Sequence, residues 1–116
     1  MDVNITYHGE CLNIMPAHIQ DKSVDLILCD LPYEKTKCSR DSIIDLPSLW
    51  LEYNRIIKDN GAIVLTAQIP FDKVLGCSNL SMLRYEWIWE KTQATGHYNA
   101  KKMPMVAHEN VLVFYK

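Results

Sequence analysis

The chain has 116 residues, of which 48% are hydrophobic and 22% charged, a composition typical of one small globular domain. Twelve basic and fourteen acidic residues give a formal net charge of -2, which excludes a disordered polyelectrolyte and an overall basic nucleic-acid-binding chain. Residues 84–116 alone hold five basic and three acidic side chains, which weakly indicates an anionic partner for the C-terminal third.

Glycine is scarce and scattered. The four glycines, Gly9, Gly61, Gly76 and Gly96, lie at least 15 residues apart. Loops that cradle phosphates need glycines close together, so that the backbone can approach the ligand. A P-loop, a dinucleotide-binding loop and a kinase glycine-rich loop are therefore excluded from this chain.

The four cysteines, Cys11, Cys29, Cys38 and Cys77, form no Cys-x-x-Cys pair. We therefore expect reduced thiols in a cytoplasmic protein, without a disulfide framework. No cysteine or histidine pair has the spacing typical of zinc ligands, and no apolar run suits a membrane span or a signal peptide. Neither a metal nor a membrane is an expected partner.

Three elements are predicted in the first third of the chain. Ile5–Tyr7 is a weak strand candidate, and Cys11–Ile19 has helical spacing that Pro16 interrupts, so a short or broken helix is expected. Val24–Cys29 is nearly all apolar, which is typical of a strand covered on both faces.

The clearest helix begins at Asp45 or Leu46 and has Pro47 in its first turn; Asn60-Gly61 is expected to end it. Its apolar stripe consists of Leu46, Leu49, Trp50, Tyr53, Ile56 and Ile57. The remaining elements are predicted as a strand, a helix and two strands at Ala62–Thr66, Phe71–Cys77, Tyr85–Trp89 and Asn110–Tyr115.

Strands and helices alternate along the chain, which predicts one α/β domain over residues 1–116 with a mostly parallel sheet. No clear helix separates the last two strands, so one of them is expected to run antiparallel near the C-terminus. The large aromatic side chains are expected in the core or at half-buried strand positions, namely Trp50, Tyr53, Trp87 and Trp89.

The first apolar strand leads directly into Asp30-Leu31-Pro32-Tyr33. Ligands of open parallel sheets bind just beyond the carboxyl ends of the strands. Pro32 fixes its own φ and restricts Leu31, so that Asp30 and the Leu31 carbonyl form convergent acceptors beside the Tyr33 ring. Two acceptors and a stacking face suit a planar group with an NH2, such as a nucleobase; a simple proline turn is the alternative interpretation.

The tetrapeptide resembles the Asp-Pro-Pro-Tyr motif of amino-group DNA methyltransferases. The wider sequence is similar to phage and prophage adenine-N6 enzymes of the permuted group, in which the catalytic motif precedes the cofactor motif. The further blocks that carry this resemblance are Gly9-Glu10-Cys11, Ser23–Cys29, Leu49–Thr66, Tyr85–Lys91, Asn99–Lys102 and His108–Tyr115.

The resemblance implies a partial Rossmann-like methyltransferase fold, S-adenosylmethionine as cofactor, DNA as partner, and a restriction-modification or phage setting. It places catalysis at Asp30, Leu31, Pro32 and Tyr33, with methyl transfer to the N6 of an adenine flipped out of the duplex. Cofactor contacts are implied at Asp30, Glu10 and Cys11. The Leu31 position is thought to act through its backbone carbonyl, although the family usually has proline there; Glu10 stands where the family more often has aspartate.

The family's Phe-x-Gly-x-Gly cofactor loop does not occur in this sequence. The chain therefore looks like the catalytic half of such an enzyme, and a homodimer or a second chain is expected to supply the cofactor half. DNA contacts are expected from two polar segments, at Lys35, Lys37, Arg40, Asn99, Lys101 and Lys102. For the first three of these residues a solvated loop without DNA contact is an equal alternative. His108-Glu109 lacks the second histidine of a zinc-hydrolase helix, so no metal role is expected.

Two other functions remain open from the sequence. One is a catalytically inactive remnant or DNA-binding fragment. The other keeps methyl transfer and changes the acceptor, to cytosine N4, an RNA base or a protein side chain.

Overall fold

Four strands form one mixed sheet in the order β1-β2-β4-β3. The computed structural model describes residues 3–32, 44–95, 101, 104 and 106–116. In chain order the elements are α1 (Cys11–His18), β1 (Val24–Asp30), α2 (Leu46–Ile56), β2 (Ile57–Ala67), α3 (Phe71–Ser78), β3 (Leu83–Thr95) and β4 (Val106–Phe114). None of the helices in these ranges is long and apolar enough to cross a membrane.

Strand β4 runs antiparallel to both of its neighbours, β2 and β3, whereas β1 and β2 are parallel. The prediction that one of the last two strands runs antiparallel is confirmed. The prediction of a mostly parallel sheet holds only for strand direction, which β1, β2 and β3 share. Two of the three strand pairings are antiparallel, so the sheet is mixed.

The helices pack on one face of the sheet. The apolar stripe predicted for α2 is buried, and its residues join Phe71 and Leu75 of α3 in one cluster with Ile63, Leu65 and Phe114. Trp50 Nε1 donates a hydrogen bond to Ser78 Oγ at 2.8 Å, which joins α2 to the end of α3. This layer contains the core of the described chain.

Arg55 fixes α1 against α2. Its Nη2 donates to the Met15 carbonyl at 3.0 Å, and its Nη1 donates to the Ile19 carbonyl at 2.8 Å. Met15 is buried in the core cluster. Helix α1 is short, as predicted, but Pro16 does not break it: the helix continues to His18, because a proline this close to the end removes only one hydrogen bond of the last turn.

The other face of the sheet carries no helix in the described part of the chain. Residues alternate between faces along a strand, so Leu26 and Leu28 lie opposite the core positions Ile27 and Cys29, and they are 56% and 70% exposed. The prediction that β1 is covered on both faces is therefore wrong for this chain. The apolar sequence indicates burial, but no element within the described ranges provides it on the second face.

Residues 57–61 differ from prediction. Helix α2 ends at Ile56, and β2 begins at once, because Ile57 takes an extended conformation and pairs with Val24. Asn60-Gly61 therefore lies inside β2, not at the end of the helix. The β1–β2 register jumps there, with four residues of β2, 58–61, opposite Asp25 alone. Ile5–Tyr7 forms no strand.

Candidate active site

Asp30 is the last residue of β1, at the carboxyl end of the strand. It lies directly opposite Thr66 of β2, and the Thr66 hydroxyl donates a hydrogen bond to Asp30 Oδ1 at 2.8 Å. Both side chains point to the helix-free face, because their neighbours Cys29 and Leu65 face the core. Asp30 is exposed, so this carboxylate is held on one oxygen and open to solvent.

The chain leaves the sheet directly after Asp30. Leu31 is 3% exposed and packs in the core cluster, whereas Pro32 is exposed. The buried Leu31 side chain anchors the turn from behind, and Pro32 restricts its backbone. Leucine at this position thus contributes an apolar side chain to the core cluster. Tyr33, the fourth residue of the motif, lies outside the described residues.

A second polar group on the same face was not predicted. Gln68, which follows β2, donates from Nε2 to Glu109 Oε1 at 3.0 Å, and Lys91 Nζ lies 3.0 Å from the same oxygen. Gln68 is buried, and Glu109 and Lys91 are each less than one-fifth exposed. In the sequence, the only indication of this polar group is that Gln68 directly follows an apolar strand.

Behind the sheet, α3 and β4 meet at another buried polar contact. Asn110 Nδ2 donates to Asp72 Oδ2 at 2.6 Å, and both residues are buried. Lys73 Nζ lies 3.2 Å from the same Asp72 oxygen. The contact connects the first turn of α3 to β4, one residue after Glu109.

Of the three residues implied as cofactor contacts, Asp30 ends β1, and the other two, Glu10 and Cys11, lie at the start of α1. Glu10 is its N-cap residue, and the Cys11 thiol donates to Glu10 Oε1 at 3.6 Å. Burial and the neighbouring Glu10 carboxylate raise the pKa of Cys11, with a smaller contribution from Cys29. The start of α1 therefore lies near the end of β1, but on the helix side of the sheet, whereas Asp30 faces the other side.

Cys29, directly before Asp30, packs toward α2. Its side chain hydrogen-bonds with Tyr53, and burial raises the pKa of both groups. These two residues form part of the apolar support under the end of β1. The thiol is held protonated at neutral pH, and it lies on the opposite face from the Asp30 carboxylate.

Of the residues predicted to contact DNA, Lys101 is described, in an exposed turn before β4. The others lie outside the described residues: Lys35, Lys37, Arg40, Asn99 and Lys102. Trp50 and Tyr53 are buried, as predicted. Trp87 and Trp89 lie on β3 and are 55% and 53% exposed on the helix-free face. They therefore occupy half-buried strand positions, the second of the two predicted placements, and not the core.

Comparison with known proteins gives a result at the level of three-dimensional structure only. Neither the protein-family models nor the curated proteins contain a match to the sequence. Solved structures do match. M1.HpyAVI in complex with SAM has a TM-score of 0.67 at 18% identity, over 95% of this chain and 53% of that chain.

Two further structures support the same fold. TTHA0409 from Thermus thermophilus, a candidate DNA modification methylase complexed with S-adenosyl-L-methionine, has a TM-score of 0.68 at 19% identity, over 93% of this chain and 53% of that chain. PvuII DNA methyltransferase, which is cytosine-N4-specific, has a TM-score of 0.64 at 13% identity, over 94% of this chain and 48% of that chain. The chain spans about half the length of the structures that it matches. It has the mixed α/β fold found in part of DNA methyltransferase structures.

Proposed function

We propose that this chain is the catalytic half of an S-adenosylmethionine-dependent DNA methyltransferase that acts on the N6 amino group of adenine. One observation carries the proposal. Asp30, the first residue of the Asp-Pro-Pro-Tyr-like motif, presents an exposed carboxylate at the carboxyl end of β1 and is held there by Thr66. The fold shared with DNA methyltransferase structures supports the class of enzyme.

The chemistry requires acceptors beside an amino group. The lone pair of an adenine amino nitrogen is delocalised into the ring, which makes the nitrogen a poor nucleophile. Thr66 occupies Asp30 Oδ1, so Oδ2 and the Leu31 carbonyl oxygen are the acceptors proposed for the two amino hydrogens. Accepting these hydrogens localises the lone pair on nitrogen in a preorganised polar setting.

When bound, S-adenosylmethionine supplies an electrophilic methyl group, whose bond to sulfur breaks as the nitrogen–carbon bond forms. After the transfer the amino nitrogen is positively charged and must lose one proton. Asp30 Oδ2 is the nearest proposed acceptor for that proton, and its exposure gives the proton a route to water.

The target base must leave the duplex before Asp30 can reach it, at a cost of a few kcal/mol. We propose that Tyr33 stacks on the flipped base, a contact worth about 1–3 kcal/mol in comparable sites. The anchored turn supports this role, because the buried Leu31 side chain and Pro32 restrict the backbone immediately before Tyr33.

This chain offers two carboxylates toward a cofactor site, on opposite sides of the end of β1: Asp30 on the helix-free face and Glu10 at the start of α1 on the helix side. The four scattered glycines provide no loop that lets backbone approach a ligand closely. We therefore propose that a second polypeptide segment supplies the glycine-rich part of the site.

DNA is the proposed substrate, and loops at the sheet edge are its proposed contacts. Lys101 is exposed in the turn before β4. Replacing Lys101 and Lys102 by alanine is expected to lower the slope of log K against log salt concentration by about 0.9 for each phosphate that the lysines neutralise. An unchanged slope argues against contact between these two lysines and DNA phosphates.

The test of the function compares two aspartates on the same strand. Asp30→Ala removes the proposed acceptor, whereas Asp25→Ala removes an exposed carboxylate that pairs with Lys58 at 2.9 Å. Each variant is co-expressed with the half of M1.HpyAVI that this chain does not match. Transfer of labelled methyl groups to DNA is then measured, with circular dichroism to check folding.

We expect transfer with the wild-type chain and with Asp25→Ala, and none with Asp30→Ala. Near-normal transfer by a folded Asp30→Ala variant contradicts the assignment. Analysis of the DNA nucleosides decides the acceptor: N6-methyladenine supports the proposal, and N4-methylcytosine points to the specificity of PvuII DNA methyltransferase. DNA binding without transfer by the wild-type chain favours the inactive DNA-binding fragment.

A further inference from the structure

The helix-free face is an apolar surface of the sheet. The strand register places Leu28, Val64, Val113 and Tyr85 in one row across all four strands. Val113 is buried between its neighbours, whereas Leu28, at one end of the row, is 70% exposed. Leu26 extends the apolar area along β1. Because adjacent members of this row lie about 5 Å apart across the sheet, the surface is continuous.

The same face changes character toward the carboxyl ends of β1 and β2. The next row is Asp30, Thr66, Val111 and Trp87, and beyond it lie the Gln68–Glu109 hydrogen bond and the Lys91–Glu109 ion pair. On β1 and β2 the face is therefore polar toward the proposed active site and apolar around Leu26 and Leu28, whereas on β3 the half-exposed Trp87 and Trp89 lie at the same end as the active site.

The sheet has two edges, and they differ in sequence. Along β3 the charged residues Arg84, Glu86, Glu90 and Lys91 recur, which is the pattern that protects a free edge from further pairing. Strand β1 has one charged residue, Asp25, before Asp30. Among the described residues β1 pairs only with β2, so no described strand pairs with the outer backbone groups of β1.

One partner that adds a strand beside β1 would cover both the outer edge of β1 and the apolar surface around Leu26 and Leu28. The structures that this chain matches are about twice its length, since the match covers 53% of M1.HpyAVI and 48% of PvuII DNA methyltransferase. About half of each of those chains therefore lies outside the match. Strands of a parallel sheet are normally covered on both faces, and Leu26 and Leu28 lack that cover here.

We propose that the outer edge of β1 and the Leu26–Leu28 surface bind this complementary half of a methyltransferase fold. The half adds a strand beside β1 and packs apolar side chains over Leu26 and Leu28. The inference rests on the proposed function, because it takes the partner to be the half that carries the cofactor loop. A second copy of this chain is disfavoured as the partner, because it brings no closely spaced glycines either.

The experiment co-expresses residues 1–116, carrying an affinity tag, with the half of M1.HpyAVI outside the match, and measures how much of that half co-purifies. Leu28→Lys places a charge on the proposed surface. Leu51→Lys is the matched control, because Leu51 is 73% exposed but lies on α2, away from this face. Amide hydrogen exchange of β1 is measured on the purified complex.

We expect a one-to-one complex in which the β1 amides exchange more slowly than in the chain alone. Leu28→Lys removes the apolar contact of one leucine and places a charge on the surface, so it is expected to reduce co-purification at least tenfold. Leu51→Lys is expected to leave it unchanged. Equal capture by Leu28→Lys, or no complex between two soluble halves, overturns the proposal. A homodimer of this chain that Leu28→Lys dissociates also overturns it, in favour of a second copy.

Failure of the function and failure of the docking surface give different results. If the complex forms with the predicted Leu28 dependence but no DNA is methylated, the surface stands and the function does not. If the chain methylates DNA without the second half, the function stands and the docking inference is wrong. Asp30→Ala is expected to bind the second half as the wild-type chain does.

Discussion

Thr66 Oγ1 donates a hydrogen bond to Asp30 Oδ1 at 2.8 Å, and the two residues are direct partners in the parallel pairing of β1 and β2. The bond links the first residue of the proposed catalytic motif to the strand in the middle of the sheet. Because one carboxylate oxygen is occupied, the orientation of the other is restricted. Thr66 is a positioning residue for Asp30 in the proposed reaction.

Replacing Thr66 by valine keeps the shape of the side chain and removes the donor. A hydrogen bond to a charged group contributes about 1.5–3 kcal/mol, so kcat is expected to fall by about tenfold or more, with KM changed little. Thr66→Ser keeps the hydroxyl and is expected to restore most of kcat. Steady-state methylation kinetics measure both values. A rise in KM at constant kcat points instead to a role in substrate binding.

The buried contact between Asp72 and Asn110 is expected to stabilise the junction of α3 and β4. Asn110→Leu leaves the Asp72 carboxylate, which is only 4% exposed, without its amide donor at 2.6 Å. The free energy of unfolding is expected to fall by about 2 kcal/mol or more. Urea denaturation followed by circular dichroism measures the change.

The control for that prediction is the double variant Asp72→Leu with Asn110→Leu, in which neither polar group is left alone. Its loss of stability is expected to be smaller than the sum of the two single losses. Additive losses contradict a coupling between the two side chains.

Stability is expected to fall at alkaline pH. Burial raises the pKa of Cys29 above its ordinary value of 9.0 and that of Tyr53 well above 10.0. The unfolded chain therefore releases these protons first as the pH rises, and each release favours unfolding by up to about 1.4 kcal/mol per pH unit. The contribution is fully present below pH 9 and is lost progressively above it.

Urea unfolding at several values between pH 7 and pH 11 measures this dependence. Tyr53→Phe removes one of the two groups and is expected to flatten the alkaline slope, whereas Tyr85→Phe, at an exposed position on β3, is expected to leave the slope unchanged. If Tyr53→Phe does not alter the loss of stability with rising pH, the buried Tyr53 hydroxyl is not its cause.

Gly61 is needed for the close approach of β1 and β2. A Cβ there lies 2.8 Å from the Asp25 carbonyl oxygen and 2.8 Å from the Ile57 side chain. Gly61→Ala is therefore expected to lower the free energy of unfolding by about 1–3 kcal/mol. In Gly76→Ala, on α3, the new Cβ meets only Leu83 at 3.4 Å. That variant is expected to be neutral or stabilising, since alanine favours a helix over glycine by about 1 kcal/mol.

Helices and strands could be predicted from the sequence where their hydrophobic pattern extends over many residues. The stripe of α2 and the apolar segments of β1 and β2 follow directly from periodicity, and the missing helix before β4 correctly predicted an antiparallel strand. The end of α2 was not predictable in this way. Asn60-Gly61 is a strong local signal for a helix end, but pairing of Ile57 with Val24 overrides it.

The same difference between local and long-range features decides which residues of the candidate site could be predicted. Asp30 was found because a motif follows a strand, which is a local feature. Thr66, Gln68 and Glu109 were missed, because their proximity depends on strand order and register, to which residues 36 to 79 positions apart contribute. The exposure of Leu28 was missed for another reason: an apolar sequence shows that a surface is to be buried, but not which polypeptide buries it.

Helix α2 passes into β2 without a connecting loop, since Ile56 is the last helical residue and Ile57 the first of the strand. Alternate residues of β2, among them Ile57, Ile63 and Leu65, belong to the same buried cluster as the stripe of α2. The strand that places Thr66 beside Asp30 is therefore held along its length by the core that also holds α2, so the position of this hydrogen bond depends on core packing as well as on the sheet.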